Sequence, residues 1–571
     1  MSDRSNPRPR TRAEAITQLT RAGESYELAT VDVRGVRQRV FVNAPNSLRT
    51  MYEAARSDVE FIVYDAERMT FEQTWRAAST IASQLIELGV GRGDRVAISM
   101  RNYPEWMTSF AAITSIGAIA VAMNAMWQSD EMEFALSDSG ARVIIVDGER
   151  LERLARCSPE LRERLAVLTT RLGTTPTAWR NDSDAPLATH PSGREDAMPD
   201  VDVTADEPAT MFYTSGSTGH PKGVVSTHRN VLSALLSWEL DARATRLLSD
   251  RPAPRPDGQA AALLGIPLFH VTGSHAVYLQ SYRAQRKLVS MYKWDVDLAA
   301  ELIERERVST FLAPPALTGD LVRAARTTGR DLSSLLTVGG GGAARAPEQV
   351  AAIGSSFTKA LPNTGWGMTE TNAIGAGIGE DDYLQRPASS GRASAVLDLR
   401  VVDEHDRPLP AGERGELQVR GTSVFRGYWN RPDTDAEVFV DGWFRTGDVA
   451  YLDDEGYVFI VDRSKDLIIR GGENIGCGSV EAALCLHPLV HEAAVYSVPD
   501  ERLGEEVGAT IYAETSIDVA ELQSFARDHL AAFEVPRYVQ VLHEPLPRIA
   551  TGKIAKRDLQ ARARAALGLD A

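Results

Sequence analysis

Cysteine is scarce in this sequence: 571 residues include three, Cys157, Cys477 and Cys485. Their separations match neither the paired spacing of a zinc site nor a disulfide framework. Such sparse use of cysteine is typical of a reducing compartment, so we expect a cytoplasmic location. A structural zinc site and a disulfide-stabilised fold are both disfavoured.

An excess of positive charge and a long apolar run are also missing. Lys and Arg total 62 against 78 Asp and Glu, a net charge of −16, which argues against a nucleic-acid partner. The first twelve residues are polar and interrupted by proline, unlike a signal peptide. One stretch nearly free of charge, residues 110–126, is short for a membrane span. It predicts a buried helix that turns at Gly117 into a buried strand, so we expect a soluble chain without a transmembrane segment.

What is present is the pattern of a large α/β protein. A chain of 571 residues is too long for one core and should form two or more domains. Helices alternate with apolar strands from residue 69 to 146 and again from 263 to 361, which predicts helix-covered, largely parallel sheets. The polar residues 173–202 predict a surface connection between them. Short strands punctuated by Gly and Pro follow Asp398 and predict a small β-rich subdomain.

The two ends of the chain should lie outside these sheets. Residues 1–45 predict an extension with one short helix at 13–21. The charged residues 463–466 form either a turn or a domain boundary, and about a hundred residues follow, enough for a compact α+β domain. We therefore expect an N-terminal domain over residues 1–464 and a small C-terminal domain over 465–571.

The segment at residues 213–223 carries the strongest chemical signal. It holds three glycines, four Ser or Thr hydroxyls and Lys222 directly after the apolar Met211 and Phe212. This predicts a buried strand that runs into a turn whose N–H groups and hydroxyls surround a polyphosphate, with the lysine as point charge. Pro221 before the lysine and Gly223 after it do not fit a Walker loop, so an ordinary P-loop NTPase is disfavoured.

Three later segments combine unusual residue types without apolar periodicity. Residues 363–370 place Trp366 between glycines and end on Glu370, which favours base stacking and a hard cation. Residues 441–448 end on Asp448, suited to accept from the two hydroxyls of a ribose. Residues 546–553 set Lys553 after a glycine turn. Each alone would be an ordinary turn, a packed tryptophan or a solvated lysine.

Together and in this order, these segments closely resemble the adenylate-forming superfamily of acyl-CoA synthetases, firefly luciferase and peptide-synthetase adenylation domains. The resemblance runs from about residue 68 to 559 and is strongest to bacterial fatty-acyl-CoA ligases. It implies ATP, Mg²⁺ and CoA as cofactors. It also implies two half-reactions: a carboxylic acid and ATP give an acyl-adenylate and pyrophosphate, and the CoA thiol then gives acyl-CoA and AMP. The C-terminal domain would be mobile and would turn about Lys465.

The resemblance assigns roles position by position. The phosphates of ATP would lie against Thr214, Ser215, Gly216, Ser217, Thr218, Gly219 and Lys222. Adenine would lie against Gly341, Gly342, Ala343, Asn363, Thr364, Gly365 and Trp366, followed in the nucleotide segment by Gly367 and Met368. Thr369 would touch the α-phosphate, Asp448 and Arg463 would bind ribose, and Thr214 with Glu370 would hold Mg²⁺. The catalytic set would be Lys553, Glu370 and His270 at the gate between acid and ATP. The rotation of the C-terminal domain about Lys465 would then remove Lys553 and bring Gly471, Gly472 and Glu473 towards the site.

Some positions depart from the family pattern. Ala344 replaces a common proline, a small change. Residues 476–479, Gly-Cys-Gly-Ser, lack the aromatic, the proline and the glutamate that many members carry, which puts details of thiol binding in question and leaves adenylation untouched. Glu534 stands where lysine is common and would weaken a contact to an anionic partner.

The acid itself is less strongly indicated. The segment 267–275 lacks the aspartate with which peptide-synthetase domains pair the substrate amine, so an amino acid is disfavoured. Small, mostly apolar residues at 371–377 leave room for a long or bulky apolar acid. A medium- or long-chain fatty acid is the first choice, a branched or steroid side-chain acid the second and an aryl acid the third. An acyl-AMP ligase that loads a carrier protein, a luciferase-like monooxygenase and a silent binding protein stay open, as does a homodimer.

Overall fold

The computed structural model describes residues 9–172, 185–188, 197–214, 221–250, 255–342, 347–357, 359–463, 467–470, 473–500, 502–549 and 553–569. Helices and sheets alternate along most of this length. Most of the predicted connection at 173–202 lies outside these residues. So do the proposed hinge Lys465 and the neighbouring Ser464, and the predicted domain boundary there stays a prediction.

Seventeen α-helices are assigned in the described residues. They are α1 Arg12–Leu19, α2 Leu48–Ala54, α3 Phe71–Glu87, α4 Pro104–Ser115, α5 Ser129–Ser139, α6 Gly148–Leu154, α7 Pro159–Glu163, α8 His228–Leu248, α9 Gln280–Arg283, α10 Val296–Glu306, α11 Pro315–Thr327, α12 Pro347–Ser356, α13 Glu380–Gln385, α14 Pro432–Val438, α15 Cys477–Leu484, α16 Val519–Arg527 and α17 Lys556–Ala566. A π-helix spans Thr272–Leu279 and a 3₁₀ turn spans Thr369–Thr371.

Strands make up the remaining regular structure. They are β1 Leu28–Val33, β2 Val36–Phe41, β3 Glu60–Tyr64, β4 Glu67–Thr70, β5 Arg95–Ser99, β6 Ile119–Ala122, β7 Val143–Val146, β8 Ala166–Thr169, β9 Ala185–Pro186, β10 Pro208–Thr214, β11 Lys222–Thr227, β12 Ala261–Leu264, β13 Lys287–Ser290, β14 Thr310–Leu312, β15 Thr337–Gly339, β16 Leu361–Trp366, β17 Ala376–Gly379, β18 Gly391–Ala393, β19 Leu397–Val402, β20 Gly415–Gly421, β21 Gly427–Tyr428, β22 Phe439–Val440, β23 Trp443–Leu452, β24 Tyr457–Arg463, β25 Ile468–Arg470, β26 Glu473–Ile475, β27 Glu492–Asp500, β28 Gly504–Tyr512 and β29 Tyr538–Leu542.

Two large sheets form the body of the molecule, and each has a parallel centre. The first runs β21-β11-β10-β6-β5-β7-β8-β9, and its strands β10, β6, β5, β7 and β8 are parallel. The second is parallel from β16 through β15, β14, β12 and β13 to β3 and continues as antiparallel strands through β17 and β18 to β24, β23, β20 and β19. The antiparallel end is the predicted β-rich subdomain.

A shared core joins the two sheets through the helices between them. Phe71 to Leu85 on α3 and Trp106 to Ile113 on α4 bury their apolar side chains together with those of β5, β12 and β13. Helix α3 begins with a capping box in which Thr70 and Gln73 satisfy each other's backbone N–H groups. Helix α4 is buried along its length, Gly117 turns with φ of 71°, and β6 follows. The apolar stretch at 110–126 is therefore core, as predicted.

The N-terminal extension contains more structure than the single predicted helix. Strands β1 and β2 form an antiparallel hairpin whose register pairs Leu28 with Phe41. Their alternation is weak, since none of the side chains of β1 is buried and the three exposed ones are consecutive, and it left no clear strand signal in the sequence. Tyr26 and Phe41 pack into the core beneath the β-rich subdomain. Arg12 on α1 pairs with Asp241 on α8 at 2.5 Å.

The C-terminal residues fold around a sheet of their own. Its order is β26-β25-β28-β27, with β29 parallel to β28. Helices α15 and α16 contribute Val480, Leu484 and Leu522 to one apolar cluster, and α17 contributes Leu559 to a second on the other face. Helix α16 ends at Arg527. Within the described residues no helix is long and apolar enough to cross a membrane.

Candidate active site

The predicted phosphate loop lies between two paired strands of the first sheet. Strand β10 runs out to Thr214 and β11 returns from Lys222, and these two residues are register partners. A side chain on Gly223 would place its Cβ 3.0 Å from the sulfur of Met211 and 3.3 Å from the Cβ of Trp429, so these neighbours would have to shift to admit it. Ser215, Gly216, Ser217, Thr218 and Gly219 lie outside the described residues. The two strands therefore hold Thr214 and Lys222 side by side at the two ends of the predicted loop, as a phosphate cradle requires.

Glu370 lies in the 3₁₀ turn that follows β16, and this turn contacts β11. The residue is 6% exposed, and its Oε1 accepts a hydrogen bond from the hydroxyl of Tyr428 at 2.8 Å. Asn372 and Ala373, just beyond the turn, have φ of 57° and 66°. A left-handed alanine is unusual and is tolerated where the surroundings fix the backbone. A carboxylate here and the hydroxyl of Thr214 are oxygen donors of the kind that Mg²⁺ prefers.

The two segments predicted to form the adenine slot are brought together by backbone contacts. The side chain of Asn363 accepts from the N–H of Gly340 at 3.0 Å, and Thr364 donates to the Gly340 carbonyl at 3.1 Å. A Cβ on Gly341 would come within 2.3 Å of the Gly365 carbonyl oxygen. Bare backbone therefore packs against bare backbone at this end of β15 and β16, and a side chain on Gly341 would not fit. Ala343 lies outside the described residues.

Trp366 and Asp448 are hydrogen-bonded partners in the same region. The indole Nε1 donates to Oδ2 of Asp448 at 2.7 Å, and the two residues are 9% and 4% exposed. The ring packs so tightly that a Cβ on Gly375 would lie 2.3 Å from it. The burial favours a role for Trp366 in orienting Asp448, beside the base stacking expected from its glycine neighbours. Arg463 is the register partner of Asp448 in the pairing of β23 with β24. The structure describes the backbone of Arg463 and not its side chain.

Lys553 approaches the nucleotide segments from the C-terminal domain. Its backbone carbonyl accepts from Ile549 across the turn at 2.8 Å. Its side-chain Cε would lie 3.9 Å from a Cβ on Gly342, whose φ is 93°. The structure therefore places the predicted catalytic lysine over the predicted adenine slot, although the two are more than two hundred residues apart in the chain.

His270 lies just before the π-helix, and the environment keeps its ring neutral. Burial, and secondarily the charge of Lys553, lower the pKa of His270 to about 3. Its Nε2 atom is buried and has no hydrogen-bond partner among the described residues. His275 is fully buried, and burial lowers its pKa to about 3 as well. Its Nδ1 lies 2.8 Å from the Ser274 hydroxyl, and its ring meets Phe212 edge-on. His275 thus joins the π-helix to β10.

Of the segment predicted for the second half-reaction, the structure describes Arg470 and the backbone of Glu473. Arg470 forms an ion pair with Glu506 of β28, and its backbone pairs with that of Glu473. Gly471 and Gly472 lie outside the described residues, as does the side chain of Glu473. The structure thus assembles Lys553 with the nucleotide segments while the β25–β26 hairpin belongs to the C-terminal sheet.

Tyr428 is the functional candidate that sequence reasoning missed. It lies on β21, which pairs with β11 beside the phosphate hairpin, and the Nζ of Lys222 lies 5.1 Å from the centre of its ring. The sequence feature that could have pointed to Tyr428 is the run Gly-Tyr-Trp-Asn at 427–430, which has no apolar periodicity.

Comparison with known proteins agrees with this geometry. The family model of the AMP-binding enzymes matches residues 51–429, and that of their C-terminal domain matches 479–553. Feruloyl-CoA synthase of Streptomyces sp is 33% identical over 86% of this chain and 94% of its own length, and the long-chain-fatty-acid–CoA ligase FadD13 of Mycobacterium tuberculosis is 33% identical over 86% and 92%.

A solved structure extends the likeness to three dimensions. The o-succinylbenzoate CoA synthetase of Bacillus subtilis in complex with ATP and magnesium superposes with a TM-score of 0.74, at 25% identity, over 90% of this chain and 99% of that one. The fold is the expected one, with a large N-terminal and a small C-terminal domain. The chain therefore belongs to the AMP-binding enzyme family, and it is an AMP-forming acid–thiol ligase that joins an acyl or aryl acid to CoA through an adenylate, with ATP and Mg²⁺.

Proposed function

We propose that the acid is a medium- or long-chain fatty acid, or another bulky apolar acid. The observation that carries the proposal is the neutral imidazole of His270 in a segment without a carboxylate. The imidazole there is uncharged at neutral pH because burial lowers its pKa to about 3, and residues 267–275 include no carboxylate. The residues that follow Glu370 in the sequence are mostly small and apolar. An acid that carries an amine would find no carboxylate partner in residues 267–275.

A bulky aryl acid is the second candidate, because one relative at 33% identity is a feruloyl-CoA synthase while another of the same identity acts on long-chain fatty acids. Both kinds of acid are apolar over most of their surface and need no carboxylate partner in residues 267–275.

In the first half-reaction, two anions must approach each other. Lys222 and Lys553 would offset the charge that develops as the carboxylate attacks the α-phosphorus of ATP, chiefly by position and electrostatics. Asp448 would accept from the ribose hydroxyls, and its hydrogen bond from Trp366 fixes its orientation. Thr214 and Glu370 would hold Mg²⁺, which when bound neutralises phosphate charge and orients the triphosphate. His270, neutral and aromatic, would separate the acid from ATP.

In the second half-reaction, the adenylate is a mixed anhydride that must meet a thiol and avoid water. We propose that the C-terminal domain turns about Lys465, which removes Lys553 from the slot. The segment from Arg470 to Glu473 then replaces it, after the Arg470–Glu506 ion pair has moved with its own domain or opened.

A panel of acids tests the proposal directly. Acids from C2 to C20, with aryl and steroid acids, are incubated with ATP and Mg²⁺, and pyrophosphate and CoA thioester are both measured. Turnover highest at C8 or longer supports the fatty-acid assignment, and turnover confined to aryl acids moves it to the second candidate. Pyrophosphate release without any thioester would favour an acyl-AMP ligase that loads a carrier protein. No release with any acid would favour a silent binding protein.

A further inference from the structure

We propose that Tyr428 is a positioning residue that holds the magnesium-binding carboxylate and the phosphate-loop lysine in one fixed arrangement. The proposal rests on the roles proposed above for Glu370 and Lys222. It adds a residue from a separate strand that touches both of them.

The backbone of Tyr428 is fixed against the phosphate hairpin. Strand β21 pairs antiparallel with β11, with Tyr428 opposite Val224. The N–H of Trp429 donates to the carbonyl of Gly223 on β11 at 2.8 Å. The N–H of Tyr428 donates to Oδ1 of Asp435 on α14, also at 2.8 Å. A residue paired in this way has little freedom to shift along the sheet.

The register brings the Tyr428 ring to Lys222. Val224 lies opposite Tyr428, and Lys222 lies two residues before it on the same face of β11, so Lys222 is a diagonal cross-strand neighbour. Its Nζ is 5.1 Å from the ring centre, within the roughly 6 Å over which an ammonium is attracted to an aromatic face. The ring therefore restrains an ammonium that would otherwise be free to leave the loop and be solvated.

The hydroxyl of Tyr428 reaches the other part of the site. It donates to Oε1 of Glu370 at 2.8 Å, and Glu370 is 6% exposed. The backbone of Glu370 is also held in place, because its carbonyl accepts a hydrogen bond from the N–H of Phe425 at 2.7 Å. A hydrogen bond to a carboxylate is among the stronger kinds and sets the plane in which its oxygens lie. Ring and hydroxyl thus have separable functions: the ring restrains the lysine, and the hydroxyl orients the carboxylate.

Separating these functions gives the test, with a readout other than activity. The melting temperature of the full chain is measured with ATP while MgCl₂ is titrated, and again with ATP in EDTA. Tyr428→Phe keeps the ring and removes the hydroxyl, so we expect the Mg²⁺ concentration for half-maximal stabilisation to rise about tenfold, in line with the loss of a hydrogen bond to a charged group. The ATP-induced shift in EDTA should be unchanged. Tyr428→Leu should reduce that shift too.

Two further variants make each outcome decisive. Tyr451→Phe is the matched control, since Tyr451 stacks on Phe459 in the same subdomain at 4.7 Å, and it should leave both curves unchanged. Glu370→Gln tests the metal assignment separately. A shift of the Mg²⁺ curve in Glu370→Gln and not in Tyr428→Phe would overturn the role of Tyr428 while leaving the proposed site intact. No shift in either variant would overturn both.

Discussion

Replacing Lys553 by alanine should separate the two half-reactions. The side-chain Cε lies 3.9 Å from where a Cβ of Gly342 would be, so the lysine lies at the predicted adenine slot in this arrangement. Two unit charges about 4 Å apart at an effective dielectric constant of about 20 interact by about 4 kcal/mol. Each 1.4 kcal/mol of transition-state stabilisation is about tenfold in rate, so adenylate formation should slow roughly a thousandfold.

The assay treats the two steps apart. Adenylate formation is followed in a single turnover by pyrophosphate release, and thioester formation is followed from chemically prepared acyl-adenylate and CoA. We expect the second rate to stay within a few-fold of the parent enzyme, because Lys553 leaves the site before the thiol enters.

A neighbouring lysine supplies the control for Lys553→Ala. Lys556→Ala removes an ammonium from the same domain that pairs with Glu481 at 2.7 Å and is one-third exposed. A surface pair of this kind contributes about 0–1 kcal/mol, so neither step should change much. Equal slowing of both half-reactions by Lys553→Ala, or a loss of adenylation below tenfold, would refute the reasoning.

Three further outcomes are expected. Trp366→Phe removes the hydrogen bond to Asp448, worth about 1.5–3 kcal/mol, and should weaken ATP binding at least tenfold by calorimetry, with acid binding unchanged. Burial lowers the pKa of His228 from 6.5 to about 4, so the folded state binds fewer protons than the unfolded state between these pH values. His228 should then contribute about 3 kcal/mol to the loss of stability as the pH drops from 6.5 to 4, and His228→Asn should remove that contribution in urea titrations. Arg12→Ala leaves the partly buried carboxylate of Asp241 without its ion partner and should cost about 1–3 kcal/mol of unfolding free energy, and an unchanged urea midpoint would contradict it.

Local pattern was enough to predict much of the fold. The alternation of helices and apolar strands gave the two parallel-centred sheets, because a strand buried on both faces is a short apolar run wherever it occurs. Residues 110–126 were predicted as a helix, a turn at Gly117 and a strand, and the structure has α4, φ of 71° at Gly117 and β6. Dense Gly, Ser and Thr at 213–223 likewise predicted a strand and a turn, and β10 and β11 flank that turn.

What pattern could not supply were contacts between residues far apart in the chain. The bond from Trp366 to Asp448 spans 82 positions and that from Tyr428 to Glu370 spans 58, and neither leaves a periodic trace. The hairpin of β1 and β2 was missed because buried and exposed side chains do not alternate along either strand. The glycines on either side of Trp366 predicted that its ring stacks on the adenine base. They gave no sign that tertiary packing buries the ring and directs its N–H to the carboxylate of Asp448.

The unusual Gly476 connects the sequence departures to the two-step reaction. A Cβ there would lie 3.2 Å from the Val461 carbonyl oxygen, a contact between the first residues of α15 and strand β24 of the large domain. The missing side chain therefore permits close packing of the two domains in the arrangement that holds Lys553 in the slot. In that same arrangement Arg470 is paired with Glu506 in the C-terminal sheet. Because Lys553 and the Arg470 segment belong to one domain and Lys553 lies at the predicted slot, we propose that this arrangement serves adenylate formation and that thioester formation uses a second one.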